Sequence, residues 1–166
     1  TPMTRLSRSD LKGRAQTVLG LVDPAVLGPT LMHEHLLWDI RTPKMQADPN
    51  QGPPLCLCNS WAINYGTKKS PGNLVFFDRA IATSEVARMR AAGGRSIVEL
   101  TVGGLKPDPA GLAGIARDTD THIVMGCGHY VEEYQDPGNA NRSIDSFAAE
   151  MVAQVLEGAW GTGIRS

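Results

Sequence analysis

Two histidines separated by one residue, His33 and His35, are the side chains whose type and spacing point most directly to chemistry. They lie within the apolar stretch 30–37, which follows the turn signal Gly28-Pro29, and this pattern predicts a short β-strand. Alternate residues of a strand project from the same face, about 7 Å apart at the backbone. Because imidazole is a common metal ligand, both rings could reach one ion, and we predict half of a metal site.

The same spacing also fits a structural interpretation. Two histidines in a strand can be hydrogen-bonded core or edge residues that bind no ion. Spacing does not decide between these interpretations. The decision depends on whether the surrounding architecture brings further ligands to the same point.

Composition narrows the class of protein. At 166 residues the chain fits one domain, which buries about 70% of its unfolded surface, but it is short for a large barrel, which typically needs about 250 residues. Lysine and arginine total 16 against 17 acidic residues, a net charge of -1. We therefore expect no nucleic-acid partner and no anionic membrane surface.

The sequence carries no membrane or secretion signal that we recognise. No apolar run approaches the ~20 residues of a membrane span, and the N-terminus lacks the apolar middle of a signal peptide. We therefore expect a cytoplasmic protein. Cys56, Cys58 and Cys127 are too few for a disulfide framework and lack metal-site spacing, so we expect loop thiols.

The first 77 residues predict a hairpin and a long loop around the histidine strand. Segment 16–22 is β-rich and is turned by Asp23-Pro24, which predicts a small hairpin. The stretch at about 39–77 is rich in proline and glycine without periodicity. Loops this long are usually functional lids or binding loops, although a disordered surface insertion is the alternative.

Helices and strands then alternate. The predicted order is a helix over 78–92 capped by Asp78, a strand over 95–102, a helix from 107–109 onward, and a strand over 122–128. This order fits right-handed βαβ connections and parallel strands buried on both faces. Ser143 is predicted to cap an amphipathic helix through Leu156, and 161–165 is predicted to be the turn that leads to a fourth strand expected beyond Ser166.

Parallel strands in α/β folds carry their functional residues at their C-terminal ends. Tyr130 and His129 follow the predicted strand 122–128, so we predict substrate-binding roles for both. The alternative for Tyr130 is an aromatic ring that only lies at the rim of the barrel.

Glu99 lies in an apolar strand, where a buried charge needs a partner. Glu99 is predicted either to orient a metal ligand without touching the ion or to form an ion pair with Arg95 or another basic residue. His122 begins its strand and is interpreted as non-catalytic.

Five segments, taken in order, resemble the N-terminal half of the phosphotriesterase-like branch of the amidohydrolase superfamily. They are 16–20, 27–37, 91–99, 123–130 and 161–165. Each motif is modest, but their ordered combination is specific and covers nearly the whole chain.

The resemblance implies a (β/α)8 barrel with a two-metal centre, usually zinc, at its C-terminal mouth. His33 and His35 match the family's His-x-His in the first strand, and Tyr130 matches its aromatic position after the third. The family's other ligands come from later strands: a carboxylated lysine or glutamate, two histidines and an aspartate, all expected beyond Ser166. Family members hydrolyse phosphotriesters, lactones or related esters with a metal-activated hydroxide.

The fold class expected for residues 1–166 is therefore α/β, a partial (β/α)8 TIM barrel with about three βα units after a short hairpin. It would form the N-terminal part of one metal-dependent hydrolase barrel, with a small-molecule ester, lactone or organophosphate as substrate. Because no catalytic residue is expected within 1–166, we predict that this chain alone is inactive and dimerises, aggregates or folds marginally. The alternative is a non-catalytic α/β binding module with structural or metal-binding histidines.

Overall fold

The computed structural model describes residues 5–166. The strands are β1 Ala15–Thr17, β2 Gly20–Val22, β3 Thr30–Glu34, β4 Trp38–Asp39, β5 Val75–Phe76, β6 Ser96–Glu99 and β7 His122–Met125. The helices are α1 Arg8–Leu11, α2 Pro43–Ala47, α3 Ser60–Asn64, α4 Arg79–Ala91, α5 Pro109–Thr119 and α6 Ile144–Leu156. In this part of the chain every helix is too short or too polar to cross a membrane.

A parallel sheet in the order β3-β6-β7 is the centre of the fold. Helix α4 lies between β3 and β6 in the sequence, and α5 lies between β6 and β7, so the predicted alternation is confirmed. Strand β6 is shorter than the predicted 95–102 because the backbone N–H of Thr101 donates to the side chain of Glu99 instead of continuing the ladder.

Strand β3 contains a bulge at the position of the first histidine. Leu31 is paired with Ile97 and Glu34 with Glu99, so three steps along β3 match two steps along β6. Bulges re-aim side chains and interrupt the alternation of strand faces. The strand ends at Glu34, so His33 lies in the bulged segment and His35 just beyond the strand, whereas the sequence predicted both inside it.

The helices begin where their capping residues predict. Asp78 accepts a hydrogen bond from the backbone N–H of Ile81, and Ser143 accepts one from that of Ser146. Helices α4 and α5 cover the sheet, and the core is apolar. Its larger members are Leu37, Val86, Ile97, Leu112, Ile115, Ile123 and Met125.

The predicted hairpin is present, but its turn was placed wrongly. Strands β1 and β2 pair as antiparallel neighbours with Thr17 opposite Gly20, so the turn consists of Val18 and Leu19. Asp23 instead caps a short 3₁₀ turn over Pro24–Val26. Val18 is buried and donates its N–H to the carbonyl of Ile123, which closes one end of the core.

The segment predicted as a long loop is more ordered than expected. It contains α2 and α3, and it is closed by the antiparallel pair β4 and β5. Cys56 and Cys58 form a disulfide within it, so the prediction of loop thiols was wrong for both; Cys127 is free. The backbone carbonyl of Cys56 accepts two N–H groups in the turn that precedes α3, which brings the two Cα atoms to 5.2 Å, a separation that a disulfide spans.

Helix α6 forms as predicted, but its apolar face is only partly covered within residues 5–166. Ile144 is 87% exposed, Val152 is also exposed, and Gln154 is the buried residue of the helix. The predicted turn is present, because 159–164 folds into a turn closed by the Ala159 N–H and the Ile164 carbonyl, and no strand follows it among the described residues. Strands β3 and β7 are the edges of the parallel sheet.

Candidate metal half-site

The two histidines of the first parallel strand lie close together. The ring centroids of His33 and His35 are 5.5 Å apart in an edge-to-face arrangement. Two imidazoles that bind one zinc ion through nitrogens at about 2.0–2.1 Å have ring centres roughly 5 Å apart. The pair therefore has the spacing of two ligands of one ion, even though the bulge changes how β3 presents them.

His35 is anchored by a neighbouring strand. Its Nδ1 lies 3.0 Å from the hydroxyl oxygen of Thr101, in the segment that follows β6. Burial, and then the adjacent charge of His33, lower the pKa of His35, while Glu34 opposes this effect. A neutral imidazole is the form that binds metal, so this environment favours the ligand state.

Glu99, in the neighbouring strand β6, is 0% exposed and contacts residues next to His35. Its Oε1 accepts hydrogen bonds from the backbone N–H of Leu36 at 3.2 Å and from the hydroxyl of Thr101 at 2.5 Å. Its Oε2 accepts the backbone N–H of Thr101 at 3.1 Å. Burial raises the pKa of Glu99, and these hydrogen bonds oppose that rise.

The ion pair predicted as an alternative for Glu99 does not form within residues 5–166. The salt bridges of the described residues involve other carboxylates, and neither Arg95 nor another cation pairs with Glu99. Glu99 is instead linked through the hydroxyl of Thr101 to His35. We call these three side chains the Glu99–Thr101–His35 relay.

The other two predicted site residues face a different neighbourhood. Nε2 of His129 lies 3.1 Å from the carboxylate of Glu150 in α6, and its ring packs edge-to-face on Phe147. Tyr130 is 43% exposed, and its ring contacts that of Tyr134. Among the described residues, no hydrogen bond or ring contact joins either side chain to the histidine pair.

A cleft of about 1370 Å³ lies beside His129, between α2, the segment after β7 and α6. Phe147 and Met151 form part of its wall, with acidic side chains at Glu132, Glu133 and Asp136. His33 and His35 do not line it. The wall of the cleft therefore contains His129 but neither Tyr130 nor the histidine pair.

A second buried carboxylate, Asp39, was not identified from the sequence. It is 1% exposed and accepts hydrogen bonds from Arg41 at 2.7 and 2.8 Å and from Lys106 at 2.8 Å. Burial opposes its ionisation, but these bonds outweigh burial and hold the pKa of Asp39 well below its usual range. We call these residues the Asp39 cluster. Lys106 is 67 positions away in sequence, so no local pattern indicated it.

The described residues contain no group of three or more histidine, cysteine or acidic side chains placed to hold a metal ion. The donors that fit a metal are the two imidazoles, whose spacing suits one ion. His33 and His35 therefore fit as two ligands of a site rather than as a complete site.

The chain is similar to several known hydrolases and to one toxin-binding protein. The profile of the Phosphotriesterase family matches residues 13–166. N-acetyltaurine hydrolase from Tetraodon nigroviridis is 33% identical over 162 residues, which cover 95% of this chain and 46% of that protein. The human N-acetyltaurine hydrolase is 32% identical over the same shares. The chain spans about half the length of the curated relatives it matches.

Two solved structures share its arrangement of strands and helices. A resiniferatoxin-binding protein from Rhodobacter sphaeroides superposes with a TM-score of 0.81 at 34% identity, covering 92% of this chain and 44% of that one. The organophosphorus hydrolase of Deinococcus radiodurans gives 0.64 at 27% identity, covering 93% and 42%. These matches confirm the predicted fold class, a partial (β/α)8 barrel. The chain belongs to the phosphotriesterase family.

Proposed function

We propose that this chain supplies the first part of the metal centre of a phosphotriesterase-family hydrolase. The observation that carries the proposal is the pair of imidazoles at the C-terminal end of β3, with ring centroids 5.5 Å apart. In α/β barrels that end of the strands is where catalytic groups lie. The relatives that cover this chain support a hydrolase.

The metal in this proposal is a divalent ion, with zinc favoured by the imidazole donors and two ions in the full centre. When bound, such an ion activates water for attack and polarises the substrate. His33 and His35 bind it from one side. Thr101, which is hydrogen-bonded to Glu99, contacts Nδ1 of His35. Nε2 of His35 is then the nitrogen that binds the ion.

The described residues by themselves are proposed to bind metal without turnover. A catalytic zinc normally has three protein ligands and one open position, whereas two imidazoles are present here. The remaining ligands would come from strands like those in the other half of the longer relatives.

The substrate is proposed to be a small molecule with a hydrolysable ester, lactone or phosphotriester bond. The names of the relatives add an N-acyl amide and an organophosphorus compound to the classes worth testing. We place Tyr130 and His129 at the rim of the substrate site. Tyr130 presents a partly exposed aromatic ring there, while His129 is braced by Glu150.

Zinc titration by calorimetry tests the metal proposal directly. Substitutions His33→Ala and His35→Ala are each expected to weaken zinc binding at least tenfold, since each removes a ligand. His122→Ala is the matched control, because His122 begins β7 and pairs with Ser96 at the other end of the sheet. Unchanged affinity in both ligand variants would overturn the proposal.

The second candidate function is a metal-binding module without hydrolysis, which the two-ligand donor set favours for the described residues. A hydrolysis assay of the zinc-loaded 166-residue chain against a phosphotriester, a lactone and an N-acyl amide is the first comparison, because turnover would exclude a module without hydrolysis. Turnover that disappears in His33→Ala would show that this chain is sufficient as a hydrolase. Zinc binding without turnover would fit both the module and the half-site, and a longer polypeptide carrying the remaining ligands would then decide between them.

A further inference from the structure

In the Glu99–Thr101–His35 relay, the identity of the donor in each hydrogen bond determines which ring nitrogen of His35 carries the proton. We infer that Thr101 is a positioning residue that holds neutral His35 in the Nδ1–H form and leaves Nε2 as the free donor. The consequence of this tautomer for metal binding rests on the proposed metal site. The proton position itself is a property of this chain without metal.

The first step concerns Glu99. Its oxygens face three donors: the backbone N–H of Leu36, the backbone N–H of Thr101 and the hydroxyl of Thr101. Two of these donors are backbone amides, which cannot act as acceptors through nitrogen. A carboxylate with acceptor-only oxygens satisfies all three, so the single hydroxyl proton of Thr101 points at Glu99.

The second step concerns His35. With its proton committed to Glu99, the hydroxyl oxygen of Thr101 presents lone pairs to Nδ1 of His35, 3.0 Å away. Only a protonated Nδ1 makes a hydrogen bond in that geometry, because two facing lone pairs repel. A neutral imidazole carries one N–H, so Nε2 must then hold the unprotonated lone pair.

Burial of Glu99 and Thr101 strengthens the preference of His35 for one tautomer. Thr101 is 1% exposed and Glu99 is 0% exposed, so water does not readily replace either partner. The backbone N–H of Thr101 also binds Glu99, which fixes the position of the hydroxyl relative to the carboxylate. Without this hydroxyl, His35 would sample both tautomers, and only a fraction of the molecules would have Nε2 unprotonated before metal binding.

Nitrogen-detected NMR of the metal-free 166-residue protein tests the inference. The sample carries ¹⁵N-labelled histidine and is held at a pH well above the ordinary histidine pKa of about 6.5. We expect a protonated Nδ1 and an unprotonated Nε2 for His35, with assignment from the peaks that vanish in His35→Gln. A dominant Nε2–H form, as would result if Glu99 donated to Thr101, would overturn the inference.

Two variants of the hydroxyl separate positioning from packing. Thr101→Val keeps the shape and removes the hydroxyl, so we expect a mixture of His35 tautomers and zinc affinity reduced 10–100-fold. Thr101→Ser keeps the hydroxyl and should retain both the tautomer and the affinity. An unchanged tautomer in Thr101→Val would contradict the inference. Should that variant fail to fold, the tautomer of the unmodified protein still decides.

Failure of this inference is distinguishable from failure of the proposed function. If the unmodified protein binds no zinc while His35 shows the Nδ1–H form, the metal proposal fails and the relay stands. If zinc binds through both histidines but His35 is the Nε2–H form before binding, the relay is wrong and the metal proposal stands.

Discussion

Two buried carboxylates in this protein have opposite environments. Asp39 is 1% exposed and is held by Arg41 and Lys106, whereas Glu99 is 0% exposed and is held by neutral donors only. The cations hold the pKa of Asp39 well below its usual range, while burial raises that of Glu99. The same chemical group is thus satisfied in two ways, by opposite charge in one place and by hydrogen bonds in the other.

We propose that Asp39 serves to hold the fold, whereas Glu99 serves the proposed metal site. The Asp39 cluster balances its own charge and joins β4 to the loop after β6, where Lys106 lies. Glu99 has no cation partner within residues 5–166, yet it is linked through Thr101 to an imidazole. A divalent ion on the histidine pair would supply the missing positive charge.

Removal of the Asp39 carboxylate should give the largest loss of stability. In Asp39→Ala the guanidinium of Arg41, largely buried, loses its anionic partner, and breaking a buried pair costs about 3–5 kcal/mol. Urea unfolding followed by circular dichroism measures the change. A loss below about 1 kcal/mol would show that Asp39 is not a structural ion-pair centre.

The two carboxylates should also give opposite pH dependence. The folded pKa of Asp39 is below its unfolded value of about 3.9, so its contribution is present above that pH and is lost as pH falls below it. The folded pKa of Glu99 is raised above about 4.3, so its contribution is present below that value and is lost as pH rises through the folded pKa.

Urea unfolding between pH 2 and pH 8 compares the protein with Asp39→Asn and Glu99→Gln. The stability difference between the unmodified protein and Asp39→Asn should shrink toward acid pH. The stability difference between the unmodified protein and Glu99→Gln should shrink instead as pH rises through the folded pKa of Glu99. Parallel curves for the two variants would remove the distinction between these carboxylates.

Glu99→Gln should destabilise the fold by only about 1 kcal/mol at neutral pH. The amide keeps the size of the side chain but leaves one of three donors without an acceptor, and removal of a buried charge offsets part of that loss. The same unfolding curves give this value. A loss as large as that of Asp39→Ala would mean that Glu99 also serves mainly to hold the fold.

Lys106→Met should have the smallest effect, below about 1 kcal/mol. The Lys106 side chain is 49% exposed, so solvent screens its pairing with Asp39, and Arg41 remains in place. Lys106→Arg is a charge-retaining comparison for the same measurement. An effect larger than that of Glu99→Gln would show that the pairing with Lys106, rather than Arg41, carries the Asp39 cluster.

The sequence could predict what depends on local patterns. Helix α4 after Asp78 and helix α6 after Ser143 begin where their caps indicated, because a cap acts on the backbone two or three residues away. The hydrogen bond between Thr101 and His35 leaves no such local pattern, because it joins residues 66 positions apart.

The features that the sequence missed depend on contacts between distant segments or on backbone geometry. The bulge in β3 exists only in the pairing with β6, and Lys106 reaches Asp39 only after the sheet has formed. The disulfide depends on the turn that carries Cys56 and Cys58 toward each other. None of these leaves a periodic signal, whereas the alternation of strands and helices does.

X-ray absorption at the zinc edge of the zinc-loaded protein shows directly which atoms bind the ion. We expect two imidazole nitrogens at about 2.0–2.1 Å, with the outer-shell scattering of the rings. That signal should decrease in His33→Ala and in His35→Ala. Sulfur ligands at about 2.3 Å, or a zinc environment without imidazole, would contradict the assignment of His33 and His35 as metal ligands.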